Sequence, residues 1–368
     1  NPKPPKKMKT IFWSKIKDFQ VGETIWKKLD DKDIKLDEEQ LLDYFSAVES
    51  KVKSPSGESG SSSPAPVIPK VIEIIDANKA KSVCILLSRI KMKHKEIAQH
   101  IMQIDPIFSE DQIQNMINNQ PIPDEISAIT DFDGDKTHLG ACEKFFLELA
   151  VIDDLSIHFD LLKLIKTFNS QMEDIVPPLH TMLSALDTLQ HPDHLQVVFE
   201  IILRTGNYIN GGTPRGAAFG FKLDTLGKLK DLRSNKPGYT LLHYIVHVVN
   251  EKYPDALQFV DELSILKDAL RFDLDTISKQ MESIELVMTN CKNYMKKAQT
   301  LQSKGDGFYK KYEDFTKENN SKVVDARSLI TNINEKYTAI AQKYLEDSTQ
   351  IKMSEFIEIF STFANDFA

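Results

Sequence analysis

Two apolar stripes toward the C-terminal end carry the strongest periodicity in the chain. Leu270, Leu274, Ile277, Met281, Ile284, Met288, Cys291, Met295 and Ala298 fall alternately four and three residues apart. That spacing keeps one seam of a helix against a partner helix. Gly305 and Gly307 interrupt it, and Ala326, Ile330, Ile333, Tyr337, Ile340 and Tyr344 then repeat it. The pattern predicts two helices joined by a turn, packed as an antiparallel coiled-coil hairpin. It also makes Cys291 a seam residue rather than a nucleophile. The closing segment SEFIEIFSTFANDF (residues 354–367) reads as an aromatic amphipathic helix.

Helical spacing also runs through the middle of the chain from Val71 onward. Val83, Leu86, Leu87 and Ile90 form one stripe, with Ile85 in the same apolar run, and Ile97, Ile101 and Ile104 form a second. Pro121 and Pro123 break the pattern ahead of a helix that Asp124 is placed to cap. Residues 143–205 read as long helices with breaks at Pro177-Pro178 and at Pro192. The N-terminal part differs. Residues 8–29 hold both tryptophans, Trp13 and Trp26, with Gly22 between them and little periodicity. Aromatics of that size need a pocket. Residues 37–52 suggest a short amphipathic helix, and KSPSGESGSSSPAPVIP after it has the composition of a flexible linker. The opening NPKPPKK reads as the end of a proline-rich, extended region.

Composition narrows the class. The 368 residues are 41% hydrophobic and 27% charged, enough for real cores beneath a helical surface. Cys84, Cys142 and Cys291 lack CxxC spacing, which points to a reduced, intracellular chain. No apolar run reaches membrane-spanning length and no signal peptide opens the sequence. The net charge of −8 is uneven. Residues 77–95 carry six basic groups (Lys79, Lys81, Arg89, Lys91, Lys93, Lys95) and no acid. Residues 206–236 carry six basic groups and two acids. With +6 and +4 in these islands, the remainder carries −18. Such a distribution suits a localised acidic partner. No zinc, RNP or helix-turn-helix signature accompanies the islands, so nucleic acid is not the expected partner.

The second island lies in the stretch GNYINGGTPRGAAFGFKLDTLGKLKDLR (residues 206–233), which holds Gly206, Gly211, Gly212, Gly216, Gly220 and Gly227. Such glycine density marks backbone that takes positive φ or meets something closely. GNYINGGT approaches a phosphate-binding loop, but Gly212 stands where the lysine is required, and a long helical segment leads in where a strand belongs. The same stretch resembles the signature of the formin homology-2 domain. The resemblance rests on Gly206-Asn207-Tyr208-Ile209-Asn210, Gly216-Ala217, Phe219-Gly220-Phe221, Leu223, Leu226, Lys228-Leu229 and Asp231. At the last position the family's lysine is Arg233 here, and the arginine that the family often has further upstream is replaced near His158.

The resemblance implies an all-α, elongated domain over residues 8–368, after the end of a proline-rich region at 1–7. Its parts would be a lasso arm (8–50), a flexible linker (51–70), a knob (71–135), a post with part of the coiled coil (136–265), and the coiled coil with the C-terminal helix (266–368). It implies a homodimeric head-to-tail ring, with Trp13 and Trp26 of one chain seated near Gly206, Asn207, Tyr208 and Asn210 of the other. Such a ring would bury roughly 2,000–5,000 Å². It implies actin nucleation and processive barbed-end capping in the cytoplasm, with profilin recruited through an upstream proline-rich region. Contacts to actin would come from Ile85, Arg233, Lys9, Lys91, Lys228 and Lys230. No cofactor and no chemical reaction are implied. A coiled-coil scaffold without actin activity is the alternative, since fold does not fix function. A nucleotide-handling enzyme built on the glycine-rich loop is the remote one.

Two further motifs carry little chemistry. DFDGDK (residues 131–136) lacks the EF-hand glycine at its sixth position and has Cys142 at its twelfth. Its acids are better read as helix caps before a helix starting near His138. The pair His243 and His247 has no acid between its members and no third ligand nearby.

Overall fold

The computed structural model describes residues 72–211, 213–214, 217–298 and 307–368. Lys9, Trp13, Trp26, the 37–52 segment, the 51–70 linker, Val71, Gly212, Gly216 and Gly305 lie outside them. The described residues are helical throughout, without a named strand. In chain order the α-helices are α1 (Ala77–Ile90), α2 (His94–Met102), α3 (Glu110–Asn118), α4 (Pro123–Thr130), α5 (Ala141–Leu149), α6 (Leu155–Gln190) and α7 (Asp193–Ile209). There follow α8 (Asp224–Lys228), α9 (Leu241–Lys252), α10 (Gln258–Glu262), α11 (Ile265–Ala269), α12 (Leu274–Ala298), α13 (Phe308–Lys343) and α14 (Met353–Phe367).

These helices build two hydrophobic cores that share α6 as a spine. The first gathers α1 to α5 around Ile97, Ile101, Phe108, Ile113 and Phe146. It takes Phe159, Leu161 and Leu162 from the start of α6 and closes with Cys291, Tyr294, Phe308 and Tyr312. This cluster therefore reaches past residue 135. The second runs from Leu164 to Phe367 and includes most of α6, α7 to α13, and the aromatic face of α14. On α14, Phe356, Phe360, Phe363 and Phe367 are buried, and Phe363 stacks on Phe259.

The structure revises three expectations. First, Pro177-Pro178 does not break α6, which runs unbroken for 36 residues. Each interior proline removes one backbone donor at a cost of about 3 kcal/mol. Burial of Ile175, Pro178, Leu179, Met182 and eleven other residues of the same helix offsets that at roughly 1.5–3 kcal/mol per large side chain. Second, Asp124 does not cap α4. Ile122 holds that place with Pro123 at the first helical position, and the Glu125 carboxylate accepts from the Ile122 N–H at 2.9 Å. Third, α12 and α13 do not form a freestanding hairpin. Each packs more extensively along α6 than on the other, giving a three-helix arrangement. The seam itself is as expected from Ile277 to Cys291, after which Tyr294 takes the buried place and Met295 is only partly buried.

A buried carboxylate ties the entry of this unit to its first core. Glu143 is 1% exposed and accepts from the backbone N–H groups of Ile74 and Ile75 at 2.9 and 3.1 Å. Ile72 pairs with Leu139 as an isolated parallel bridge, donating to the His138 carbonyl and accepting from Gly140. A Cβ on Gly140 would meet Glu143 Oε2 at 2.4 Å, so glycine is required for the carboxylate to sit there.

Candidate functional surfaces

The first surface is the outer face of α1. Asp76 caps the helix by accepting from the N–H groups of Asn78 and Lys79. Val83, Leu86 and Leu87 are buried beneath it. At about 100° per residue, Ile85 falls nearly opposite their mean direction, and it is 46% exposed. Its neighbours one turn away on the same face are Lys81 and Arg89, both exposed. An apolar side chain thus stands in water between two cations. Lys79 is not part of this display. Its ammonium donates to Glu125 Oε2 at 2.6 Å and to the Gln120 carbonyl at 2.9 Å, 5.4 Å from the centre of the Phe146 ring. Lys91 ends the helix in the left-handed region (φ 56°), its N–H donating to the Leu87 carbonyl, with its side chain exposed.

The second surface is the glycine-bearing stretch. The motif Gly206-Asn207-Tyr208-Ile209 is the last turn of α7, and the Asn210 N–H donates back to the Gly206 carbonyl at 2.9 Å. Asn207 clamps the following loop: its Nδ2 donates to the Ala218 carbonyl at 2.9 Å and its Oδ1 accepts from the Ala218 N–H at 2.8 Å. The clamp holds out an apolar patch in which Phe219 is fully exposed, Tyr208 88% and Ile209 51%. Gly206 is helical, not at positive φ, and a Cβ there would meet nothing within 4 Å. Neither reason for glycine is met by the chain itself at this position, so close approach would have to come from outside it. Phe219 was absent from the site residues inferred from sequence. Its signal was its place between Ala218 and Gly220, off any helical stripe.

The basic groups beyond this loop are unequal. Leu223, Leu226 and Leu229 are buried at three-residue intervals, and Lys228 and Lys230 on either side of Leu229 are exposed. Lys228 pairs with Asp224 at 2.6 Å, and that bond holds the Asp224 carboxyl below its ordinary range. Lys230 pairs with Asp366 of α14 at 2.8 Å, a bond that raises the ammonium's pKa. Arg233 is exposed, its backbone bridging Thr240, and it has no ion pair among the described residues. Ile85 lies on a helix of the first core, which Lys91 caps, whereas Gly206, Tyr208 and Lys228 lie on helices of the second, and Lys230 and Arg233 follow the last of these in the loop before α9.

The remaining chemical candidates have structural employment. His158 is fully buried against Tyr294 and Phe308, so it does not supply a surface cation in place of the family's arginine. His243 bonds Thr240, and His247 pairs with Glu251. Asp131 is the C-cap of α4. Asp135 caps a short 3-10 turn, Lys136–His138, by accepting from the Thr137 N–H; α5 then begins at Ala141. Burial pushes the thiols of Cys142 and Cys291 up to about 12, leaving them unreactive.

With this geometry in hand, comparison with known proteins is direct. All of residues 1–368 match the family profile described as Formin Homology 2 Domain. The chain belongs to the formin homology-2 family. It is 27% identical over 372 residues to Formin-like protein 14 of Arabidopsis thaliana, covering 99% of the chain and 30% of the relative. It is 31% identical over 283 residues to Formin-like protein 12 of Oryza sativa subsp. japonica, covering 75% of the chain and 17% of the relative. It is 27% identical over 378 residues to Disheveled-associated activator of morphogenesis 2 of Gallus gallus, covering 100% of the chain and 34% of the relative. The chain thus spans about a third or less of the length of these relatives. Among the described residues no helix is long and apolar enough to cross a membrane.

Proposed function

We propose that this chain nucleates actin filaments and rides their growing barbed ends as a head-to-tail homodimer. The work is binding, with no chemical step and no cofactor. The observation that supports it most directly is Ile85, an apolar side chain left 46% exposed and flanked by Lys81 and Arg89 while Val83, Leu86 and Leu87 of the same helix are buried. An exposed anchor ringed by cations fits a hydrophobic cleft on an acidic partner, and actin is that partner in the reading. In the same reading Lys9, Lys91, Lys228, Lys230 and Arg233 are the further cations that meet actin. Among the last three, Arg233 contributes most, since Lys228 and Lys230 must first leave Asp224 and Asp366.

In this reading the exposed patch of Tyr208, Ile209 and Phe219, beside the open face of Gly206, receives Trp13 and Trp26 of a second copy. The division into lasso (8–50), linker (51–70), knob (71–135), post (136–265) and coiled coil with C-terminal helix (266–368) follows. Profilin would be recruited through a proline-rich segment upstream, and the place of work would be the cytoplasmic actin cytoskeleton. The test is polymerisation of fluorescent actin by the purified chain, with sedimentation to fix its oligomeric state. The expected result is a dimer that shortens the nucleation lag and follows barbed ends. A dimer without effect on the lag or on the ends would favour the scaffold alternative.

A further inference from the structure

A groove of about 870 Å³ lies between α6 and α13, away from both surfaces described above. Met172, Val176 and Pro177 on one wall and Leu329 on the other supply its apolar lining. The lining positions are 169, 172, 173, 176, 177 and 180 on α6, and 322, 325, 326, 328, 329 and 332 on α13, so each helix presents one face over successive turns. Two parallel ridges of that kind form the slot into which a further helix packs. On α6 the wall runs for about 16 Å at 1.5 Å per residue, three helical turns. α12 also packs against both α6 and α13, so an occupant of the groove would complete a four-helix arrangement.

The chemistry of the rim selects the occupant. Glu173 on one wall and Asp325 on the other are both exposed, and neither makes an ion pair among the described residues. Pro177, which lines the same wall, adds apolar ring surface beside Glu173. Lys322 and His180 also line the groove. Lys322 is exposed, and its ammonium donates to Asn319 Oδ1 at 2.9 Å and lies 5.8 Å from the centre of the Phe168 ring. Acceptors on both walls over an apolar floor suit a helix with an apolar face flanked by lysine or arginine.

We propose that the α6–α13 groove is a docking site for a basic amphipathic helix of a partner protein. The apolar face of that helix covers Met172, Val176 and Leu329, and its cations meet Glu173 and Asp325. The site does not depend on actin binding, and its test contains no actin. A fluorescein-labelled amphipathic peptide of leucine and lysine is titrated with the full chain, and binding is followed by anisotropy. The double variant Glu173→Lys/Asp325→Lys should bind roughly tenfold or more weakly, the scale of losing interfacial charge pairs. The control Asp314→Lys/Glu335→Lys makes the same charge change on exposed acids of α13 outside the groove and should stay within about twofold. Methyl resonances of Met172 and Leu329 should shift on binding. Equal weakening in both double variants would mean attraction to net charge alone and would overturn the proposal, as would undetectable binding to the unaltered chain. Loss of self-association in Glu173→Lys/Asp325→Lys, seen by sedimentation, would reassign the groove to a contact between copies of this chain and would overturn it too.

Discussion

Truncating Ile85 separates an anchor from a core residue, because the two roles predict opposite balances of stability and binding. A fully buried isoleucine cut to alanine costs about 2–5 kcal/mol. Ile85 keeps 46% of its surface in water, and the stretch beneath it is already filled by Val83, Leu86 and Leu87. The cavity term is therefore small, and Ile85→Ala should cost about 1 kcal/mol, which lowers Tm by about 1–2 °C in a chain of this length. Leu86, one residue on and 5% exposed, is the internal comparison: Leu86→Ala should cost the full 2–5 kcal/mol. Binding should reverse the ranking. Loss of a central anchor costs about 2 kcal/mol or more, so the affinity of Ile85→Ala for barbed ends should fall roughly 30-fold. The assays are thermal unfolding, sedimentation and fluorescent-actin assembly on the same preparations. A Tm loss as large as that of Leu86→Ala would return Ile85 to the core. Unchanged assembly with unchanged Tm would remove Ile85 from the actin surface altogether.

Three further outcomes are expected. Arg233→Ala should weaken barbed-end binding more at low salt than at high salt, since exposed charge is screened within about 10 Å at 0.1 M; an equal loss at every ionic strength would indicate packing instead. Glu143→Ala strands the buried N–H groups of Ile74 and Ile75 and should cost about 2–5 kcal/mol in urea unfolding, with Glu143→Gln recovering part of it through a neutral acceptor; a loss below about 1 kcal/mol would show that water replaces the carboxylate. Trp13→Ala combined with Trp26→Ala should shift the chain toward monomer in sedimentation, and an unchanged dimer would count against the arm as the dimer clasp.

Local order was legible wherever one helix face meets one neighbour. The alternating spacing from Ile277 to Cys291, and again from Ala326 to Ile340, specified which residues are buried, because a helix seam repeats whatever packs on it. The glycine-bearing motif specified the family, since its residues are too many and too closely ordered to arise from helical packing alone. The spacing on α1 also held the answer for Ile85, although an apolar run reads as core until its angle about the helix axis is taken. What sequence could not decide depended on partners distant along the chain. Whether Pro177-Pro178 breaks a helix depended on how much apolar surface the surrounding turns bury on α12 and α13. Whether the two seams face each other or a third helix depended on α6, which ends 84 residues before α12 begins. The depth of Glu143 and its backbone partners come from the segment of Ile72, Ile74 and Ile75, about seventy residues upstream, folding back over it. Lys79, Lys228 and Lys230 looked equivalent to their neighbours as charges, and only the placement of Glu125, Asp224 and Asp366 divides bases already paired from those left to bind. Periodicity reports the face a residue occupies within its own element; the tertiary fold decides which other element, if any, that face meets.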